Sequence, residues 1–168
     1  MFKMFKFILT IIIVMLVLPL SNVGISAEAN CDDEIYEIKS DLYKLNFITS
    51  GFNDCINEEF EKVLEEFQTY YEPVELTGEI DEQTLEHIEF ILSSPLKNGN
   101  YDDDTVELKE FLIMLGYGDF SKTRYYGPQT ESAVKEFQRD HNLVKHGIAD
   151  GPTLSKLEYE AMKPLEEG

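Results

Sequence analysis

Lys122-Thr123-Arg124-Tyr125-Tyr126-Gly127-Pro128-Gln129 is the stretch where this chain gathers residue types suited to chemistry. That chemistry is recognition and not bond breaking. A flat aromatic face can stack on a sugar ring. A guanidinium can grip a carboxylate through two parallel hydrogen bonds, and a primary amide can pair with an N-acetyl group. Tyr125, Arg124 and Gln129 are assigned these parts. The loop also concentrates positive charge in a chain whose formal net charge is −19. Tyr126 has two readings, a ligand-facing ring and a core ring, and the core reading is preferred. Phe137 reads as core, and Gln138 as a hydrogen-bonding side chain that fixes a turn.

Catalytic and metal-binding patterns do not assemble elsewhere. Asn98-Gly99-Asn100-Tyr101-Asp102-Asp103-Asp104 has the look of a calcium loop. Such a loop needs Gly at its sixth position and a bidentate Glu at its twelfth, where this chain has Asp103 and Lys109. A solvated acidic linker is the preferred reading. His87, His141 and His146 lack metal-ligand spacing with each other or with cysteine. No metal and no cofactor is expected. The chain has 33 acidic residues, so many that arguments from paired carboxylates select nothing. No enzymatic activity is expected.

Lys3 and Lys6 precede an apolar run from Phe7 to Leu20, followed by the small residues around Ser26, Ala27 and Ala29. This pattern predicts a secretory signal peptide over residues 1–29, cleaved after 27 or 29. The alternative, a membrane anchor, is disfavoured because the run is shorter than the roughly 20 residues a spanning helix needs. Such an acidic exported chain opposes nucleic acid and anionic lipid. It favours a solvated surface or a cationic partner. Export into an oxidising compartment allows the two cysteines, Cys31 and Cys55, to form one disulfide. Two free thiols or an intermolecular bridge are the competing readings. Closing that loop would stabilise by about 3 kcal/mol, and it would consume the one candidate thiol nucleophile.

The elements that position these residues come in two copies. Glu66-Phe67-Gln68 recurs as Glu136-Phe137-Gln138. Lys39, Leu42 and Leu45 match Lys109, Leu112 and Leu115. Gly78, Asp81, Thr84 and Leu85 match Gly147, Asp150, Thr153 and Leu154, with the offset reduced by one. One extra residue within Glu72–Leu76 accounts for the change. A period of this kind marks a tandem repeat. Within each copy the apolar residues fall at helical spacing: Ile35, Ile38, Leu42 and Leu45; Phe60, Val63, Leu64 and Phe67; Leu85, Ile88, Ile91 and Leu92. Asp81 and Asp150 read as helix caps. Ser93 to Asn100 reads as a linker.

Leu112-x-x-Leu115-Gly116-Tyr117, Tyr126-Gly127-Pro128-x-Thr130-x-x-Ala133-Val134-x-x-Phe137-Gln138 and Gly147-x-x-Asp150-x-x-Thr153-Leu154 closely resemble the peptidoglycan-binding domain found beside many bacterial cell-wall hydrolases. The resemblance implies a three-helix bundle that docks on the wall and performs no chemistry. The first copy looks like a degenerate relative. Asn57-Glu58-Glu59-Phe60 replaces the Gly-Pro-x-Thr helix start, with Asn57 expected to take the left-handed backbone in place of Gly127. Phe60 in place of Thr130 is expected to change the surface chemistry. In the second copy Thr123-Arg124 stands where the family usually has Asp-Gly.

The expectation is therefore an all-α protein with two tandem three-helix units. They span residues 30–93 and 105–162, joined by a linker at 94–104 and followed by a tail at 163–168. The expected function is that of an exported, non-catalytic, cell-wall-associated protein that binds peptidoglycan glycan or stem peptide through Arg124, Tyr125 and Gln129. The alternative is a secreted acidic regulator of a basic partner such as a cell-wall hydrolase.

Overall fold

The computed structural model describes residues 31–71 and 74–163. The expected signal peptide, Glu72-Pro73 and the tail from residue 164 lie outside the described residues. Within them the chain is all-α, with six helices: α1 (Asp33–Lys44), α2 (Glu58–Tyr70), α3 (Glu82–Leu92), α4 (Asp104–Met114), α5 (Pro128–Asp140) and α6 (Gly151–Met162). None of these is long and apolar enough to cross a membrane.

Local chemistry explains where the helices start. Asp32 Oδ1 accepts from the Glu34 N–H at 3.0 Å, and Asp102 Oδ1 accepts from the Asp104 N–H at 2.9 Å. Asp81 accepts from the Thr84 N–H at 2.7 Å, and Asp150 from the Thr153 N–H at 3.0 Å. Each carboxylate pairs a donor that the first helical turn leaves unsatisfied, and it also suits the positive end of the helix.

Asn57 caps α2 with its side chain, accepting from the Phe60 N–H at 2.9 Å. Its φ is −151°, and that of Gly127 is −97°. The left-handed backbone expected at Asn57 is therefore absent, because an extended cap needs no positive φ. The exchange of Asn for Gly occurs instead at the end of the preceding helix. There Asn46 (φ 62°) and Gly116 (φ 84°) turn the chain after α1 and α4.

Two clusters of buried side chains form. Leu42, Leu45, Leu64 and Phe67 anchor the first; Leu112, Tyr126, Val134, Phe137 and Leu157 anchor the second. Leu96, in the stretch that composition marks as linker, is buried in the second cluster. Ile148, from the second half, is buried in the first. The halves are also joined by polar contacts. The Tyr71 hydroxyl donates to Asp150 Oδ2 at 2.8 Å, and the Val144 N–H donates to the Tyr70 hydroxyl at 3.2 Å.

Candidate functional site

The loop 121–126 is held from beneath by a lysine. Lys109, on α4, is only 4% exposed. Its Nζ donates to Tyr125 O at 2.7 Å, Thr123 O at 3.0 Å, Thr123 Oγ1 at 3.1 Å and Ser121 O at 3.3 Å. Burial holds its pKa below the ordinary lysine value. The dense set of oxygen partners compensates for the water lost around the ammonium. Lys39 plays the same part in the first half, donating to Cys55 O at 2.6 Å and Asn53 Oδ1 at 3.1 Å. The pair Lys39/Lys109 is plain in the sequence as a repeat. Its work as a loop anchor is visible only once the loop carbonyls converge.

On this base, residues 99–102 run against 124–126. The Asp102 N–H donates to Arg124 O at 2.9 Å, and the Tyr126 N–H to Asn100 O at 2.9 Å. An antiparallel bridge pairs Tyr101 with Tyr125, and their rings lie 4.8 Å apart at 35°. Tyr101 is 72% exposed and Tyr125 37%. The two rings form an open aromatic platform. The corresponding bridge in the first half pairs Cys31 with Cys55, which form the expected disulfide. Both partners differ by 70 positions, so a covalent staple in one half stands where the other displays two phenols. Tyr101 escaped the sequence reading. The matching offset of Cys31 and Cys55 was the signal that could have found it.

Gly127 makes room for the platform. A Cβ at that position would lie 2.7 Å from the Tyr125 ring, so the ring rests on the glycine. Arg124 is exposed beside it, its Nε 2.6 Å from Asp103 Oδ1. Both side chains of that pair are largely in water, where such pairs contribute at most about 1 kcal/mol. An incoming carboxylate can displace Asp103. Gln129 is exposed in the first turn of α5. Among the described residues it makes no hydrogen bond to Arg124 or Tyr125.

Several neighbours are structural. Tyr126 is fully buried, and its hydroxyl donates to Gly147 O at 2.9 Å. Phe137 and Gln138 are also fully buried. Gln138 Nε2 donates to Ile148 O at 2.9 Å and Thr153 Oγ1 at 3.0 Å, while its Oε1 accepts from the Gly147 N–H at 2.9 Å. Gln68 does the same with Glu79 O, Thr84 Oγ1 and the Gly78 N–H. Thr130 and Phe60 are each 2% exposed. Their exchange therefore alters the core and not the surface, contrary to the expectation from sequence.

Residues 101–157 match the model of a family described as "Putative peptidoglycan binding domain". Neither the curated proteins nor the solved structures gave a match to the chain. The match begins at Tyr101, so it takes in both rings of the platform, the Lys109-anchored loop and α4 to α6 as far as Leu157. Over residues 101–157 the chain is thus similar to the peptidoglycan-binding domains of that family.

Proposed function

We propose that this is an exported, non-catalytic protein that docks on peptidoglycan through the open face formed by Tyr101, Tyr125, Arg124 and Gln129. The observation that carries the reading is the Tyr101–Tyr125 platform on a loop fixed by Lys109, inside the segment matched to the family. The exposed parts of the two tilted phenol rings offer apolar faces to a sugar ring. Arg124 offers a planar fork to a stem-peptide carboxylate. The first half, a degenerate copy in this reading, replaces the platform with a disulfide and serves another purpose.

Sedimentation with purified peptidoglycan tests docking. The protein is expected in the pellet at moderate salt, and Arg124→Glu is expected in the supernatant. Absence from the pellet at every salt concentration would sink the reading. The non-catalytic claim has its own check. The pure protein is expected to release no dye from dye-labelled wall, and any release above buffer overturns it.

One observation favours a second reading. A net charge of −19 is repelled by a wall rich in phosphate polymers and attracted by a basic protein. On this reading the protein recruits or restrains a basic secreted partner, such as a cell-wall hydrolase.

A further inference from the structure

Beside the seam between the halves lies a groove that neither half forms alone. Phe90 and Ile91 of α3 stand on one side and Pro152 and Leu154 of α6 on the other, with Pro95 and Leu96 between them. Its volume is about 590 Å³, within the range of ordinary ligand clefts, and such clefts favour junctions between units. Phe90 is 71% exposed at this groove.

The buried polar groups here are already engaged, and the Ser93 and Ser94 hydroxyls bond to nearby backbone. Asp150 Oδ2 accepts from the Tyr71 hydroxyl at 2.8 Å and lies 3.1 Å from His146 Nε2, while its Oδ1 is bonded to Thr153. His87 also lines the groove. Burial holds its pKa below the ordinary histidine value despite the charge of Asp150, so it adds no positive charge at neutral pH.

The surrounding charge is uneven. Residues 31–93 hold 18 acidic and three basic residues, a net charge of −15; residues 94–162 hold 12 acidic and eight basic residues, a net charge of −4. Helix α3 carries Glu82, Glu86 and Glu89 and no Lys or Arg. These features discriminate between occupants. A second copy of the chain would bring its own large negative charge against this one. A glycan needs a dense set of hydrogen-bonding groups, and these walls are mostly apolar with only a few serine hydroxyls. A polypeptide with apolar side chains and positive charge satisfies both the walls and the field.

We propose that the groove docks a cationic amphipathic segment of another protein, with its apolar side chains against Phe90, Pro95 and Leu154 and its basic side chains toward the acidic first half. The inference rests on the second reading above and supplies its contact surface.

The test titrates the full-length protein with three probes: a synthetic amphipathic Leu/Lys peptide, a Lys/Gly peptide of equal charge and length, and a soluble N-acetylglucosamine oligomer. Two variants accompany it. Phe90→Ala removes an exposed ring, and Ser155→Tyr fills the groove from α6; both are checked for folding by circular dichroism. The Leu/Lys peptide is expected to bind, with affinity roughly tenfold lower in each variant, as for loss of an anchoring contact. The Lys/Gly peptide is expected to bind weakly and without regard to the variants.

Equal binding of the Leu/Lys peptide to wild type and both variants overturns the groove and leaves the second reading standing. Binding of neither peptide overturns both. Displacement of the Leu/Lys peptide by the sugar oligomer overturns the assignment to a polypeptide, as does a dimer of the protein alone that Phe90→Ala dissolves. Peptidoglycan sedimentation, read on the same variants, is expected to be unchanged.

Discussion

At the scale of single residues, the platform depends on contacts that no one side chain announces. Tyr125 rests on Gly127, whose φ of −97° any residue can adopt. Gly127→Ala should therefore cost little backbone strain while pushing the partly exposed Tyr125 ring off its seat. We expect a midpoint in chemical denaturation within about 1 kcal/mol of wild type, together with a clear loss of peptidoglycan retention. Unchanged retention would show that the ring's position does not matter. Arg124, Tyr125 and Gln129 could be singled out from the sequence because their chemistry is local to one loop. Tyr101 was not, because its partner lies 24 positions away and only the bridge between the segments brings the rings together. Thr130 was misjudged for a related reason. A short polar side chain at a helix start reads as surface until packing shows that it is 2% exposed.

At the scale of elements, each half carries one buried amide that ties the second helix to the start of the third. Gln68 and Gln138 each accept from the N–H of a positive-φ glycine and donate to the backbone and a threonine hydroxyl. Replacing Gln138 with Leu leaves the Gly147 N–H and Ile148 O without a partner and Thr153 Oγ1 with Asp150 alone. We expect a cost of about 3 kcal/mol for Gln138→Leu, and a similar cost for Gln68→Leu, measured by denaturant unfolding. A near-neutral result for either would show that water replaces the amide there. This architecture was largely readable in the sequence. Helical spacing, the aspartate caps and the Phe-Gln pair recur because the same packing problem is solved twice. The left-handed position was misplaced from Asn46 to Asn57, since a residue type alone does not say whether Asn serves a turn by its backbone or a cap by its side chain.

At the scale of the whole molecule, the seam joins what the repeat divides. Burial pushes the Asp150 carboxyl up, but hydrogen bonds from His146, Thr153 and Tyr71 and the charge of His146 outweigh it, so its folded pKa lies below the ordinary aspartate value. A carboxyl depressed on folding contributes stability above its unfolded pKa, near 4, and loses it as pH falls through the folded value. The stability difference between wild type and Asp150→Asn should thus shrink as pH falls below about 4. A difference that does not change with pH would remove the charge of Asp150 from the account. None of this seam was visible in the sequence, because Tyr71 lies in the first half and His146 and Asp150 in the second, and only docking of the halves assembles them.

The halves, so joined, divide their surfaces: an aromatic platform in the second, a disulfide and most of the negative charge in the first. The central claim is that the platform holds the wall. Its most direct test is a binding isotherm of the wild-type protein and the Tyr101→Ala/Tyr125→Ala double variant on purified peptidoglycan stripped of phosphate polymers. Saturable binding by the wild type is expected and, with both rings gone, a loss of at least roughly tenfold in the folded variant. Equal isotherms for the two proteins would contradict the claim.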